Sequence, residues 1–252
     1  MNVSDNAEST TPAGKRGRGK RSRATAVELA GEVSTELEPG SALADQSAAD
    51  GDESSDVSAA QPVDAKSAPE NRATDGPFDS DEANPARPYV DLGGVKILPR
   101  EGLQLRLEVE EGTQRVVAVG LDFAGSTLQV QAFAAPRSTG LWNDIRGQIR
   151  DQITGQGGTL VEQEGVFGPE LIAEVPAPGP DGTPVLRLAR FVGVDGPRWF
   201  LRGVIAGDAM QNEASRAAVE ELFRSVVVVR GISPMPPRDL IPLTIPKSSA
   251  AI

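Results

Sequence analysis

Two pairs of glutamates have the spacing that carboxylate chemistry requires: Glu108 with Glu110, and Glu162 with Glu164. Residues two apart in a strand share a face, so each pair could bind a hard cation or perform general acid–base catalysis. Alternating acids along a half-exposed strand are more often its solvent-facing side, and Arg106 lies on the same face as Glu108. Carboxylate- or cation-dependent hydrolysis is therefore the lesser functional alternative.

The absence of two residue types narrows the chemistry further, because the sequence contains no histidine and no cysteine. Thiolate nucleophiles, imidazole bases, Ser-His-Asp triads and Cys/His zinc sites all require one of them. Only carboxylates, Lys, Arg, hydroxyls and Tyr89 remain. We expect no catalytic residue, no cofactor and no metal ion, and we expect that the protein is not an enzyme.

A basic run near the N terminus is the second feature that could do chemistry. Residues 14–23, GKRGRGKRSR, carry the six cations Lys15, Arg16, Arg18, Lys20, Arg21 and Arg23. Arg and Gly interleaved in this way resemble the arms that bind RNA through its phosphates, so the six are candidate nucleic-acid contacts. The competing interpretation is a solvated tail, because the fourteen acidic residues within 31–84 can screen these cations.

The amino-acid composition of residues 1–84 differs from that of the rest of the chain. Residues 1–84 are mostly Ala, Ser, Asp, Glu, Gly and Pro, with Phe78 as the only aromatic side chain. Such a segment cannot bury enough apolar surface to offset an ordering cost of about 1 to 2 kcal/mol per residue. We therefore predict a disordered arm over 1–84, basic at 14–23 and acidic at 31–84.

Beyond the arm, alternating hydrophobicity predicts strands. Residues 103–110 and 126–134 alternate apolar with polar side chains, and together with the run 115–123 between them they predict an antiparallel meander. Further strands are expected at 158–167, 169–175, 184–194, 198–207 and 226–230.

Two segments have a helical period instead, namely 139–154 and 212–225. Ser138 or Thr139 is the candidate N-cap of the first helix. Strands in runs with two interspersed helices predict an α+β domain over 85–232, with a largely antiparallel sheet of about eight or nine strands and two packed helices.

The C-terminal segment 233–252 is rich in proline, which excludes a helix or a central strand. Its apolar residues favour an extended strap lying on the domain. A proline-rich ligand for another protein is the alternative.

The two tryptophans, Trp142 and Trp199, are candidate anchors for a partner, because Trp and Arg dominate binding hot spots. In a core with so few aromatic residues, both are more simply explained as core side chains.

Three short motifs in the sequence are similar to those of a known family. They are GPFD at 76–79, VDLGG at 90–94, and WFLRGV at 199–204, which is followed by a predicted helix and VVVVR. Together they resemble an uncharacterised actinobacterial family of the DUF 3710 type, a domain of unknown function, over about residues 76–246. The order of elements also resembles PsbP-like sandwiches. The family resemblance implies a cytosolic actinobacterial setting and supplies no activity, cofactor or catalytic residue.

These observations favour a non-enzymatic protein-binding or adaptor module, whose partner is another protein. A nucleic-acid-associated protein acting through the basic run is the alternative. The first residues lack an apolar signal region, and no run reaches eighteen apolar residues, so we expect a cytoplasmic protein without a membrane partner.

Overall fold

The computed structural model describes residues 64–110, 112–113, 115–178 and 183–245. Its helices are α1 (Arg72–Asp75), α2 (Trp142–Gly155) and α3 (Glu213–Arg224), with a 3-10 helix at Asp208–Met210. Its strands are β1 (Phe78–Asp79), β2 (Val90–Asp91), β3 (Val95–Ile97), β4 (Gln104–Val109), β5 (Val116–Phe123), β6 (Ser126–Ala134), β7 (Thr159–Gly165), β8 (Gly168–Pro178), β9 (Pro184–Asp195), β10 (Trp199–Gly207) and β11 (Val227–Val228). No helix among the described residues is both long and apolar enough to cross a bilayer.

Seven strands form one antiparallel sheet in the order β4-β5-β6-β10-β9-β8-β7. Two meanders make up this sheet, β4 to β6 and β7 to β10. They join where β6 pairs with β10, from Ala134 opposite Trp199 to Ser126 opposite Gly207. The join makes one continuous sheet from two halves of the chain.

Each face of this sheet carries one helix, and we name the faces after them. On the α2 face, Phe200 and Val204 of β10 pack with Ile145 and Ile149 of α2. On the α3 face, the alternate residues of β10 pack with α3. Successive residues of a strand point to opposite faces, and both faces of β10 are covered by packed elements. Its residues are therefore buried on both sides, and its sequence is nearly continuously apolar.

A second, four-stranded sheet packs on the α3 face in the order β1-β11-β3-β2. Val95, Ile97 and Val228 of this small sheet share one core with Leu121 and Val130 of the large sheet. Strands β1 and β11 are parallel, and the other pairs are antiparallel.

The predicted class, α+β with largely antiparallel strands, is confirmed. The structure has eleven described strands in two sheets, where the sequence indicated one sheet of eight or nine. The additional strands β1, β2 and β3 contain two or three residues each, which is too few to show an alternating pattern.

Residues 64–84 differ from the prediction, because they belong to the folded body and not to the arm. The backbone N–H of Ser67 donates to Asp195 Oδ2 at 3.0 Å, and the N–H of Asp195 donates to the Ser67 carbonyl at 2.8 Å. Strand β1 pairs with β11. Backbone and polar contacts hold this segment, so its low hydrophobicity did not reveal it. The rest of the predicted arm, residues 1–63, lies outside the described residues.

Helix α2 begins at a cap that comes from another part of the chain. Its first residues use neither Ser138 nor Thr139. Instead, the Asp195 carboxylate accepts hydrogen bonds from the N–H groups of Leu141 at 2.8 Å and Trp142 at 3.4 Å. A carboxylate at a helix N-terminus satisfies its free donors and favours its dipole.

Burial raises the pKa of the Asp195 carboxyl, although hydrogen bonds from Leu141, Ser67 and Trp142 and the charge of Lys66 oppose this shift. Asp195 therefore binds its proton more tightly in the folded state than in the unfolded chain. Its contribution to stability is present at low pH and is lost as the pH rises from about 3.8 through the raised pKa.

We expect Asp195→Asn to be less stable by about 1 to 3 kcal/mol, because its amide nitrogen replaces an acceptor that faces backbone donors. The variant should also lack the fall in stability above the unfolded pKa. Urea denaturation between pH 4 and pH 8 measures both effects, with Asp151→Asn as the exposed control. A constant difference between the Asp195→Asn variant and the natural protein across this range would contradict the assignment.

The C-terminal segment lies on the body up to residue 245. The Ile241 N–H donates to the Ala132 carbonyl at 2.9 Å, and the Gly94 N–H donates to the Pro242 carbonyl at 3.0 Å. Leu243 bridges Val116 of the large sheet. We call residues 238–244 the strap, because they contact both sheets.

Ile241 is 4% exposed in the shared core, whereas Ile245 is 71% exposed. Ile241→Ala should lower the free energy of unfolding by about 2 to 4 kcal/mol, because it leaves a cavity. Ile245→Ala, the same chemical change four residues later, should alter it by less than about 0.5 kcal/mol. Chemical denaturation of both variants tests the strap, and equal losses would refute its role.

Candidate functional site

The first predicted carboxylate pair is divided between different partners. Glu108 Oε2 accepts a hydrogen bond from the side-chain amide of Gln129, on the α2 face. Glu110 follows the end of β4 and accepts a hydrogen bond from the Thr113 hydroxyl. The two carboxylates are therefore oriented by separate contacts.

The second predicted pair is also separated by its contacts. Glu162 Oε1 forms an ion pair with Arg146 of α2 at 2.8 Å, and Glu164 is exposed. Within the part of the chain that the structure describes, no group of three or more acidic side chains is placed to hold a metal ion.

Trp142, a candidate partner anchor, is completely buried. Its indole N–H donates to the Pro169 carbonyl at 2.7 Å, and its ring stacks on Phe200 with centroids 5.8 Å apart. Gly193 gives the ring its space, because a Cβ there would lie 2.3 Å from the indole. A side chain in this position is part of the core and does not offer a surface to a partner.

Trp199, the other candidate anchor, is also completely buried. Its indole N–H donates to Asp79 Oδ2 at 2.8 Å, and the Arg72 guanidinium lies 5.6 Å from the ring centroid. The tryptophan therefore fastens the segment before β2 to the core. Both contacts are internal, as expected of a core side chain.

The six cations of the basic run, Lys15, Arg16, Arg18, Lys20, Arg21 and Arg23, lie outside the described residues. Their contact with nucleic acid stays a prediction.

The surface that distinguishes the molecule is the α3 face of strands β7, β8 and β9. Helix α3 and the small sheet pack on the other half of this face, and no described element covers the apolar residues Val161, Leu186 and Leu188. Val161 is 63% exposed, Leu186 is 59% exposed and Leu188 is 37% exposed. Strand register places Val161 opposite Ile172 on the same face. We call these four residues the open face.

Two adjacent cavities border the open face. One has a volume of about 650 Å³ and lies between strands β7 to β9 and helix α3, and the other has about 480 Å³. Leu188, Met210 and Gln211 line both, so the two cavities adjoin each other. We call them together the β7 groove.

A buried ion cluster closes the inner end of the groove. Arg190 donates from Nε and Nη2 to Glu170 Oε2 at 2.9 and 2.7 Å, and from Nη1 to Glu220 of α3 at 2.6 Å. Burial works against the charge of Arg190, but the two carboxylates outweigh it and raise its pKa. The cluster fixes helix α3 to the sheet and leaves one surplus negative charge.

Carboxylates outnumber cations along the larger cavity. Glu170, Glu213 and Glu220 line it together with the two cations Arg190 and Arg216. Arg216 donates to the Ala209 carbonyl at 3.2 Å, so it is also used internally. The groove therefore offers net negative charge to whatever enters it.

Strand β7 is the outer edge of the sheet on this side. Among the described strands it pairs only with β8, in unbroken register from Thr159 to Gly165. The opposite edge, β4, has a register shift between Glu108 and Val109. A bulge discourages the addition of another strand, so β7 is the more receptive edge.

A further buried charge, Arg202 of β10, was missed by the sequence analysis. It donates to the side-chain carbonyl of Gln131 and lies 5.8 Å from the centroid of the Phe133 ring. Burial lowers the pKa of Arg202 to about 9, against the opposing charge of Glu108. The sequence signal for a buried charge was an arginine inside an otherwise apolar strand. Arg202 lies in this way within WFLRGVIAG, and Arg190 within LRLARFV.

The fold and site define an α+β protein with two antiparallel sheets, an open sheet edge and an acidic groove beside it. The chain belongs to the family described as "Protein of unknown function (DUF3710)", whose sequence model matches residues 76–251. The match confirms the family resemblance, and it includes most of the proline-rich segment. A search of curated proteins finds no significant match.

The ion cluster allows a direct test of the groove's inner end. Arg190→Met should lower the free energy of unfolding by about 3 to 5 kcal/mol, because it leaves the 2% exposed Glu170 side chain without a counter-charge. Arg150→Met, which removes an exposed pair with Asp151, should cost at most about 1 kcal/mol. Urea denaturation of both variants provides the measurement. Similar losses in the two would refute the cluster's structural role.

Proposed function

We propose that the protein is a non-enzymatic binding module that takes an extended polypeptide segment alongside β7. The segment's side chains lie in the β7 groove and on the open face. One observation carries the proposal. Strand β7 pairs with a single strand among those that the structure describes, and it lies beside apolar side chains that no described element covers.

The edge strand explains why the segment is extended. The outward N–H and C=O groups of β7 can form a further antiparallel ladder, and main-chain hydrogen bonds then supply affinity without a fixed sequence. Alternate side chains of the added strand point to the α3 face, where Val161 of β7 is the adjacent apolar side chain.

The charge of the groove indicates which side chains the segment carries. Glu213, which lines the larger cavity, and Glu174, which lines the smaller one, are both exposed. Opposite charge across an interface steers association and selects partners. We therefore infer a segment rich in Lys and Arg.

The carboxylates at the base of the groove support a binding role over catalysis. Glu170 and Glu220 both accept hydrogen bonds from Arg190, and Glu170 also accepts from Gln163 at 2.9 Å. A general acid or base must exchange a proton with a bound substrate. Here the acceptor oxygens are directed at other protein groups, which makes them structural.

The proposal is tested with a display library of random twelve-residue peptides, selected on the full chain with Lys15, Arg16, Arg18, Lys20, Arg21 and Arg23 changed to Gln so that its own basic run does not compete. We expect enriched peptides to contain Lys and Arg at alternate positions. Val161→Lys should weaken their binding at least about tenfold, because it places a cation on β7 where cationic side chains must enter.

Ile232→Lys is the matched control, since it makes the same change at a side chain that is 93% exposed and lines neither cavity of the groove. Fluorescence anisotropy with labelled peptides measures both variants. The proposal fails if no peptide is enriched, or if the two variants bind equally.

A further inference from the structure

We propose that the segment occupying the β7 edge is residues 14–23 of this same chain. This inference rests on the proposed function, because it names the occupant of the groove. It assigns a role to the basic run that the described residues leave unexplained.

Charge complementarity is the first argument. The stretch from Ser9 to Val27 carries six cations and no acidic residue, in a chain of net charge −11. The β7 groove presents the opposite charge. Acidic residues in 31–63 compete for the same cations, but the groove sets its carboxylates beside apolar side chains. The long aliphatic stems of Arg and Lys can cover such side chains while their charged ends reach the carboxylates.

The spacing of the cations fits an edge strand. In an extended segment, Arg16, Arg18 and Lys20 point to one side and Lys15, Arg21 and Arg23 to the other. Carboxylates are available on both faces of the sheet at this edge. Glu164, which follows the ion-paired Glu162 on the α2 face, is exposed, and Glu174 lies on the α3 face. A strand added at β7 would therefore meet carboxylates with both of its sides.

The tether is long enough, and it enters the body close to the groove. Forty residues separate Arg23 from Asp64. A chain of this length spans about 35 Å without being stretched. The Ser67 hydroxyl lies 3.3 Å from the position of a Cβ at Gly168, the first residue of β8. Glu170, two residues later, lines the groove.

The same charges argue against a second copy of β7 at this edge. Antiparallel pairing of β7 with itself would bring Glu162 and Glu164 near their own copies, and like charges across a strand pair are destabilising. A basic segment removes this conflict, which favours residues 14–23 as the occupant.

Hydrogen exchange on the full chain tests the inference. The comparison is between the natural sequence and a variant in which all six cations are changed: Lys15→Gln, Arg16→Gln, Arg18→Gln, Lys20→Gln, Arg21→Gln and Arg23→Gln. With an effective concentration of about 1 mM and a segment affinity of about 0.1 mM, the edge is about nine-tenths occupied. The outward amides of β7 should then exchange about tenfold faster in the variant.

Two controls accompany the measurement. The amides of β4, the opposite edge, should exchange equally in both proteins, because no basic segment is expected there. High salt should remove the protection of β7 in the natural sequence, since the contact depends on charge. Equal exchange of β7 in the two proteins at low salt would overturn the inference.

A synthetic peptide, GKRGRGKRSR, distinguishes this failure from failure of the proposed function. If β7 exchanges equally in both proteins but the added peptide slows it in the variant, the edge binds basic segments and the internal occupant is wrong. If the peptide also has no effect, both proposals fail for basic segments. If β7 is unprotected and a single-stranded RNA binds only the natural sequence, residues 14–23 contact nucleic acid and the inference is wrong.

Discussion

The pairing of β6 with β10 sets the conditions for the rest of the fold, because it joins two separate meanders into one sheet. The connection from β6 to β7 must then cross one face as α2, and the connection from β10 to β11 crosses the other as α3. The small sheet takes its place beside α3, on the half of the face that β4, β5, β6 and β10 provide. On the half formed by β7, β8 and β9, the side chains of Val161, Leu186 and Leu188 are left without a covering element among the described residues, and the candidate site is a consequence of this arrangement.

Buried charges stand at the points where separate parts of the chain meet. Asp195 joins the residues before α1 to the start of α2, and Arg190 joins the sheet to α3. Burying a charge costs free energy unless hydrogen bonds and counter-charges replace its hydration. Each of these two side chains therefore has several partners, which restricts the geometry of its junction. Arg202 has fewer partners, and the lower pKa caused by its burial reflects that difference.

Local patterns predicted most of the regular structure. The apolar run at 115–123 and the alternating run at 126–134 correspond closely to β5 and β6, and the helical run at 139–154 corresponds to α2. These elements bury a stripe or a face that period alone reveals. What the sequence could not provide was contact over long separations. Ser67 and Asp195 are 128 residues apart, and neither local composition nor a motif links them. The groove could not be predicted either, because the exposure of a sheet face depends on where the other elements pack, and local sequence patterns do not determine that packing.

The strap contacts both sheets from a position late in the chain. Leu243 bridges both Gly93 and Val116, which precede it by more than a hundred positions. During translation, every strand that this residue contacts has already left the ribosome before the strap is made. The core that the two sheets share is supplied mainly by residues that are made before the strap. The bridges made by Leu243 can form only after the strap emerges, so they are among the last of the described contacts to be completed.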